Sequence, residues 1–537
     1  MTKNDIVQKL WNLCDILRDD GINYSHYVTE LVLLLFMKME SEQVLNVNNF
    51  NHKLPDGCRW SDLTSLSGIN LLNKYKSILL TLSTGKKKVI EGEKEKEKTV
   101  VTDPLILAIY SDAQTSLREP RHLEQLIKSL DQIDWFSAKQ DGLGDLYEGL
   151  LEKNANETKS GAGQYFTPRP LIDSIIRCVK PKPGETIQDP AAGTAGFLIA
   201  ADAYIKKQTD DLYNLSPKEQ IKQRKECYIG VELVPDTLRL ALMNCLLHGM
   251  EGDTKGVVHL GNALGQVGES LPQSQIILSN PPFGTAKGGG RPTRTFTHAT
   301  SNKQLNFLQH IYNCLKPGGR AAVVLPDNVL FEAGVGTDVR RDLMDKCNLH
   351  TILRLPTGIF YAQGVKTNVL FFTKGVPDNP DQEEGCTTNV WVYDLRTNMP
   401  NFGKRTPFGD THLEPFKKVY GENAYGSSDR KDGDWSFTAE DTDHTQENSR
   451  WRCFSRGWIR DTKGDSLDIS WIKDIDSVDA ANLPEPEELA AEAMGELTEA
   501  LRELDGLMAA LGKADEAEVQ KALLAEVLGF NVEGENE

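Results

Sequence analysis

Ile6, Leu10, Leu13 and Leu17 recur at spacings of four, three and four, which lines one face of an α-helix. Thr2 or Asn4 stands where a helix cap belongs. A second helix is predicted from about His26 to Glu40, with Leu31–Met37 as its uninterrupted apolar run. That run is far shorter than the roughly 18–20 residues needed to span a bilayer. Residues 1–150 therefore read as a helical N-terminal domain. Within it, Lys86–Lys98 (KKKVIEGEKEKEK) is almost purely charged. It reads as a solvated loop or a frayed helix, because the interleaved glutamates cancel the charge that a basic nucleic-acid arm would need.

From 151 to 375 the pattern changes. Short β-rich runs at Thr186–Gln188, Tyr228–Val231, Val257–Leu260, Ile276–Leu278, Ala321–Leu325, Thr351–Leu355 and Val369–Phe372 alternate with helical periodicity. This predicts an α/β fold with a doubly wound, mainly parallel sheet, whose ligands bind beyond the carboxyl ends of the strands. Residues 376–480 are rich in Gly, Asp and Pro and weakly periodic, and read as an irregular extension. In it Trp451, Arg452, Phe454, Arg456, Trp458 and Arg460 interleave aromatic and basic side chains. A satellite core is the plainer reading, and contact with nucleic acid the sharper one. From 481 to 537 an acidic helical tail is predicted. Leu497, Leu501, Leu504, Met508 and Leu511 keep heptad spacing, and Val519, Leu523 and Val527 follow. So narrow a seam needs a partner surface, either its own domain or another chain.

Charge sharpens this division. The chain of 537 residues carries a net charge of −18, of which −12 lies in residues 481–537 and −6 in the rest. Such a balance is wrong for a protein that grips DNA unaided, since phosphate contacts need Lys and Arg. With 39% apolar and 26% charged residues the composition is that of a globular protein. The nine cysteines form no CxxC pair, so neither a structural zinc site nor a disulfide framework is expected. The N-terminus lacks the pattern of a secretory signal, and a reducing, cytoplasmic location is expected.

Five segments carry chemistry. Asp189-Pro-Ala-Ala-Gly-Thr-Ala-Gly-Phe197 joins a strand to an apolar helix. Its small residues let a ligand approach the backbone, and an acid at its start suits a cationic centre or amine. It is neither a phosphate loop nor the dinucleotide GxGxxG. Glu232 ends the next strand, where a carboxylate can accept both hydroxyls of a ribose. Asn262, in Gly261-Asn-Ala263, can meet an adenine edge. Asn280-Pro-Pro-Phe283 follows an apolar strand. Its prolines fix the backbone, so the Asn280 side-chain carbonyl and the Pro281 backbone carbonyl can converge on one amine, while Phe283 offers a stacking face. Upstream, Ser160-Gly-Ala-Gly-Gln164-Tyr165-Phe166-Thr167-Pro168-Arg169-Pro170 leads into a helix. There Thr167 can hold a carboxylate, cap the helix, or both.

In this order the segments resemble the amino-group DNA methyltransferases that use S-adenosylmethionine. More closely, the chain resembles the modification (M) subunit of type I restriction–modification systems, N6-adenine class. The resemblance takes in Leu10-Trp-Asn-Leu-Cys-Asp-Ile-Leu-Arg18 and Asp141-Gly-Leu-Gly-Asp-Leu-Tyr-Glu-Gly149. It implies an S-adenosylmethionine-dependent methyltransferase fold at 151–375, with that cofactor as methyl donor and no metal. Gln164, Tyr165, Phe166, Thr167, Pro168 and Arg169 would border the cofactor, with Thr167 near its methionine carboxylate. Asp189, Thr194, Ala195 and Gly196 would surround its methionine and ribose, Glu232 would hold the ribose hydroxyls, and Asn262 would lie near its adenine. Asn280, Pro281, Pro282 and Phe283 would grip a target adenine flipped out of double-stranded DNA. Phe283 departs from the commoner Tyr and loses one polar contact.

The implied partners are DNA, a specificity subunit flanked by two modification subunits, and a restriction/translocation subunit in the full complex, with no membrane. The implied role is protection of host DNA and, with the specificity subunit, participation in restriction. A solitary DNA amino-methyltransferase would need its base-reading region at 376–480. A protein-glutamine or ribosomal-RNA methyltransferase would also use an Asn-Pro-Pro-aromatic turn, but the helical N-terminal region and acidic tail speak against it. A non-catalytic scaffold is disfavoured by the intact motifs.

Overall fold

The computed structural model describes residues 3–22, 26–46, 52–91, 94–133, 135, 143–157, 167–283, 293–360, 365–400, 402–403, 406–431 and 449–472, with positions 501, 504, 508 and 520. The chain forms two units, Met1–Ile472 and Lys473–Glu537.

The first unit begins with helices Lys3–Asn12, Cys14–Asp19, Tyr27–Asn46, Gly68–Thr84, Pro104–Ile109, Pro120–Asp131 and Leu143–Glu157. Ile6, Leu10 and Leu17 are fully buried, so the predicted seam exists, but two helices broken at Leu13 carry it. Asn4 lies inside the first helix rather than capping it, and Thr2 falls outside the described residues. The second predicted helix continues to Asn46. Glu40 does not end it, because its buried carboxylate accepts the Lys53 and Leu54 amides at 2.8 and 3.3 Å.

Lys86–Lys98 is neither loop nor helix. It forms an antiparallel hairpin of β1 (Lys86–Glu91) and β2 (Lys94–Thr99). Lys and Glu favour helices as single residues, but here charge alternates with the period of a strand. The register sets Lys88 opposite Glu97 and Glu91 opposite Lys94 but also Lys87 opposite Lys98, so the charges across the pair are mixed. Lys86 Nζ also meets Glu97 at 3.0 Å.

The remaining strands are β3 (Ile187–Asp189), β4 (Tyr228–Glu232), β5 (Val258–Leu260), β6 (Ser274–Ser279), β7 (Leu315–Pro326), β8 (Cys347–Arg354), β9 (Thr367–Lys374), β10 (Asn389–Asp394) and β11 (Trp451–Ser455). All seven predicted runs are strands. They form one sheet in the order β11-β10-β8-β9-β7-β6-β3-β4-β5. Pairing is parallel except around β9, which is antiparallel to β7 and β8, and between β10 and β11. Ile276 and Leu278 of β6 enter one apolar core while Ile277 enters another, so both faces are covered and the strands read as continuous apolar runs. From β3 the chain moves outward through β4 to β5 and then returns to the other side of β3 as β6. The switch point between β3 and β6 is where a doubly wound sheet opens a crevice.

The stretch 376–480, expected as an irregular extension, supplies β10 and β11 to the same sheet. Its aromatic cluster is largely core. Trp451 is 1% exposed and stacks on Trp391 at 5.1 Å, and Phe454 and Ile459 are buried. The stretch is fastened at Asp394. This fully buried carboxylate accepts Arg354 Nη1 at 3.0 Å, the Arg396 and Thr397 amides at 2.8 Å and the Thr397 hydroxyl at 2.9 Å.

In the second unit, Leu501, Leu504, Met508 and Gln520 are helical, and Leu501 and Leu504 are 40% and 57% exposed. The other predicted seam residues lie outside the described ones. Among the described residues, no helix is long and apolar enough to cross a membrane.

Asp394→Ala would take from the buried Arg354 its nearer ion-pair partner and leave it the longer contact to half-exposed Asp468 at 3.4 Å. It should lower stability by about 3 kcal/mol or more, read as a lower denaturation midpoint of the full chain. An unchanged midpoint would contradict this account of how β10 is held.

Candidate active site

The sheet brings three predicted residues to adjacent strand ends. Asp189 pairs in register with Gly230, two residues before Glu232, and Glu232 pairs with Leu260, two residues before Asn262. Gly230 is required by close packing, since a Cβ there would sit 2.9 Å from Val258 and 3.0 Å from Ala192. The turn after Asp189 is tight enough to put Gly193 and Ala195 at φ of 55° and 69°. For Ala195 this is a strained region that must be held by its surroundings. The Thr194 carbonyl accepts Asn244 Nδ2 at 3.0 Å, and the Ala195 amide donates to Ala192 O at 2.7 Å.

Asp189 is 1% exposed. Its Oδ1 accepts the Ala191 amide at 3.0 Å and the Ser279 hydroxyl at 2.8 Å. Burial pushes its carboxyl up to about 7, helped by the like charge of Glu232, while those two hydrogen bonds oppose the rise. Glu232 is also raised by burial. It accepts the Gly193 amide at 3.0 Å on one oxygen and the Val234 amide at 2.8 Å on the other. A carboxylate has about four lone-pair positions, so both oxygens keep capacity for hydroxyl donors. Asn262 is exposed, and its side-chain oxygen accepts the Leu264 amide at 2.9 Å. Leu233, Val234 and Leu260 are 63%, 41% and 52% exposed around these polar groups.

The Asn-Pro-Pro-Phe turn follows β6. Asn280 Nδ2 donates to Thr167 Oγ1 at 2.9 Å, which directs the carbonyl end of the amide away from Thr167. Thr167 is therefore not the helix cap. Pro168 occupies that position before Arg169–Val179, and the Thr167 hydroxyl faces Asn280 instead. Pro281 is buried and Pro282 half-buried. The Phe283 ring meets Phe360 edge-on, with centroids 6.2 Å apart at 74°. Arg169, expected beside a cofactor, is held by Glu148 and by Asp173 at 3.0 Å. Asp145, Glu148 and His248 bring their ligand atoms within 4.8 Å of one another. There Glu148 is already matched to Arg169, and His248 Nδ1 meets Asn244 O at 2.8 Å. Gln164, Tyr165 and Phe166 lie outside the described residues.

The structure thus gathers Thr167, Asp189, Glu232, Asn262 and Asn280 along the strand ends. The donor set suits S-adenosylmethionine. Both hydrogen-bond donors of buried Asp189 are neutral, leaving its charge to a cation. Glu232 suits a diol, and the exposed leucines and valine beside Asn262 suit a flat base. Sequence reading missed Ser279, Asn244, Leu233, Val234 and Leu260. Ser279 alone left a trace, as the one polar residue ending the apolar run Ile276-Ile277-Leu278.

Comparison with known proteins gives consistent matches along the chain. A family model described as N-6 DNA Methylase matches residues 138–450, and one for the HsdM N-terminal domain matches 6–130. A third, for the C-terminal domain of the type I restriction enzyme methylase subunit, matches 483–526. The chain is 57% identical to the StySPI methylase subunit of Salmonella potsdam, over 98% of this chain and 99% of that protein. It is equally similar, over the same shares, to the EcoKI methylase subunit of Escherichia coli strain K12. Against the crystal structure of the type I restriction enzyme EcoKI M protein the TM-score is 0.56 at 52% identity, covering 97% of this chain and 99% of that one. A chain from a type I R-M system assembly matches with TM-score 0.66 at 25% identity, covering 95% of this chain and 99% of that one.

Because Asp189 is raised on folding, the neutral acid favours the folded state. That contribution is full below 3.8 and is lost as pH rises through about 7. The melting temperature of the unliganded wild type, relative to Asp189→Asn, should therefore fall across this window and level off above it. A difference that does not vary with pH would contradict the buried carboxylate.

Proposed function

The chain belongs to the family of type I restriction–modification methylase subunits, and from that premise we propose that it transfers a methyl group from S-adenosylmethionine to the N6 amine of adenine at a specific DNA site. One observation carries this reading. The acceptor turn Asn280–Phe283 begins one residue after Ser279, whose hydroxyl is bonded to Asp189. An amine-gripping turn and a cation-seeking carboxylate are therefore neighbours at the switch point of the sheet.

S-adenosylmethionine, when bound, supplies a methyl group already activated by its sulfonium. What the protein adds is positioning. Asp189 holds the positive end of the methionine portion, and Glu232 takes the ribose hydroxyls. Leu233, Val234 and Leu260, with Asn262, receive the cofactor's adenine. Thr167 to Arg169, with Gln164 to Phe166, border the methionine side. The Asn280 side-chain carbonyl and the Pro281 carbonyl accept the two hydrogens of the target amine. This draws its lone pair out of the ring and stabilises the positive charge that develops during attack. Phe283 stacks on the target ring, which must leave the duplex to reach it. The preference for adenine over cytosine rests on the family. The reaction needs neither a metal nor a covalent protein intermediate.

The division of charge supports a partner that reads DNA. The net −12 of residues 481–537 is unsuited to phosphate. With the apolar edge at Leu501 and Leu504, it suits a protein contact instead. We assign that contact to the specificity subunit, two modification subunits flanking each one, with a restriction/translocation subunit joining the full complex. In this assembly the chain protects host DNA and takes part in restriction, within the cytoplasm.

Nucleoside mass spectrometry of methyl-free DNA tests the reading. N6-methyladenine is expected when the chain, S-adenosylmethionine and the co-encoded specificity subunit are mixed. Product from the chain alone would make it a solitary enzyme, and no product in either case would overturn the activity. Asn280→Ala should lower methyl transfer by more than about 100-fold while cofactor affinity stays at the wild-type value. Unimpaired methylation by that variant would remove Asn280 from the mechanism.

A further inference from the structure

The end of β6 does two jobs at once. Asn280 turns to Thr167, while Ser279, 0% exposed, turns the other way and donates to Asp189 Oδ1 at 2.8 Å across to β3. The other donor to that same oxygen is the Ala191 amide at 3.0 Å. Ala191 belongs to the strained turn and is fixed by the backbone, whereas the Ser279 hydroxyl comes from a separate strand. The titratable group facing Asp189 is Glu232 on β4, a like charge that works against ionisation. With burial and Glu232 on one side, the two hydrogen bonds are what favour the carboxylate over the neutral acid.

We propose that Ser279 is a positioning residue for cofactor capture: its hydroxyl aims Asp189 and keeps it a carboxylate, ready for the cationic methionine end of S-adenosylmethionine. This rests on the cofactor reading above. It goes beyond that reading by giving the residue before the base-gripping turn a role on the cofactor side, so that one strand end sets both halves of the site. Ser279 touches no reacting atom in this role. Its effect runs entirely through Asp189.

The consequence is a specific pattern. Binding needs ionised Asp189, so affinity should fall about tenfold per pH unit below the Asp189 titration, while deprotonation of the ligand's own α-ammonium at alkaline pH lowers affinity equally for wild type and variant. Removing the Ser279 hydroxyl deletes a contact that favours the charge, which moves this acid limb to higher pH. Near neutrality Ser279→Ala should bind S-adenosylmethionine about tenfold more weakly, approach wild-type affinity in alkaline buffer, and keep wild-type kcat at saturating cofactor.

Isothermal titration calorimetry of S-adenosylmethionine on the full chain across this pH range, with turnover measured alongside the specificity subunit, provides the test. An upward shift of the limb with kcat preserved supports the proposal. An unmoved limb, or a loss of affinity that is equal at every pH, overturns it. If Ser279→Ala does not fold, Ser279→Cys decides, because a thiol is a weaker donor. Its limb should lie above that of the wild type, and coincidence with the wild type would overturn the proposal. A wild-type chain that binds no S-adenosylmethionine at any pH would sink the cofactor reading itself. Wild-type binding with an unmoved limb sinks only the role of Ser279.

Discussion

A carboxylate sits at the end of β3, beside the switch point of the sheet, with almost no access to water, and the strand ends around it carry the other polar groups of the site. Among the described residues, Asp189 accepts from the Ala191 amide and the Ser279 hydroxyl, and neither carries charge. Burying an ionised group on such terms is costly. The cost is borne by a sheet whose two faces are covered by separate cores, which leaves the strand ends little freedom to relax. The cationic end of the proposed cofactor, bound at Asp189, would relieve the same cost. On the proposed function, cofactor binding and the electrostatic cost of the buried carboxylate are thus two sides of one interaction.

Buried arginines hold the surroundings of that sheet together, largely through backbone carbonyls. Arg239 donates to Ile109 O at 2.8 Å and Ser111 O at 2.6 Å, fastening the helix Pro235–Leu247 to the N-terminal helical region. Arg320 of β7 donates to Val179 O at 2.7 Å and Lys180 O at 2.9 Å, closing the end of the helix that begins at Arg169, and is neutralised by Glu185. Arg340 reaches Val329, Glu332 and Asp465 carbonyls between 2.8 and 3.0 Å. A guanidinium has five donors in a fixed fork, so one side chain can satisfy several loop carbonyls that no strand or helix would pair. This is how segments without regular structure are joined to a sheet with these carbonyls satisfied.

The central strands were legible because both faces of the sheet are buried, so β3 to β9 appear as compact apolar runs bounded by turn residues. β10 and β11 were not, since Asn389–Asp394 and Trp451–Ser455 carry polar and aromatic residues at a sheet edge and resemble a loop cluster. The hairpin at Lys86–Thr99 misled for a different reason. Residue propensity points to a helix there, while Lys94-Glu-Lys-Glu-Lys98 alternates with the period of a strand and Lys86 meets Glu97 across the pair. The motif residues were legible one by one, as polar residues at the ends of apolar strands. Their mutual contacts were not. Thr167 and Asn280 are 113 positions apart, and Asp189 and Ser279 are 90 apart, so no local pattern announces either bond. Thr167 was readable as a cap because Thr before Pro often is one. Only the tertiary fold shows that its hydroxyl is spent on Asn280.

Those two bonds explain why the residue order at the end of β6 matters. Successive residues of a strand point to opposite sides. Ser279 closes β6 and Asn280 opens the turn after it, so two consecutive polar residues serve two different neighbours. Ser279 goes to the carboxylate of β3 and Asn280 to the segment entering the helix Arg169–Val179. Shifting the register of β6 by one residue would break the pairing of Ile276 with Ile187 and of Ile277 with Gln188, and with it the approach of Ser279 to Asp189. The alternation of Ile276, Ile277 and Leu278 between the two cores forbids that shift, because it would send each apolar side chain to the wrong face. The packing that stabilises the strand therefore also fixes where the polar pair at its end stands, and the site is placed by the hydrophobic pattern that precedes it.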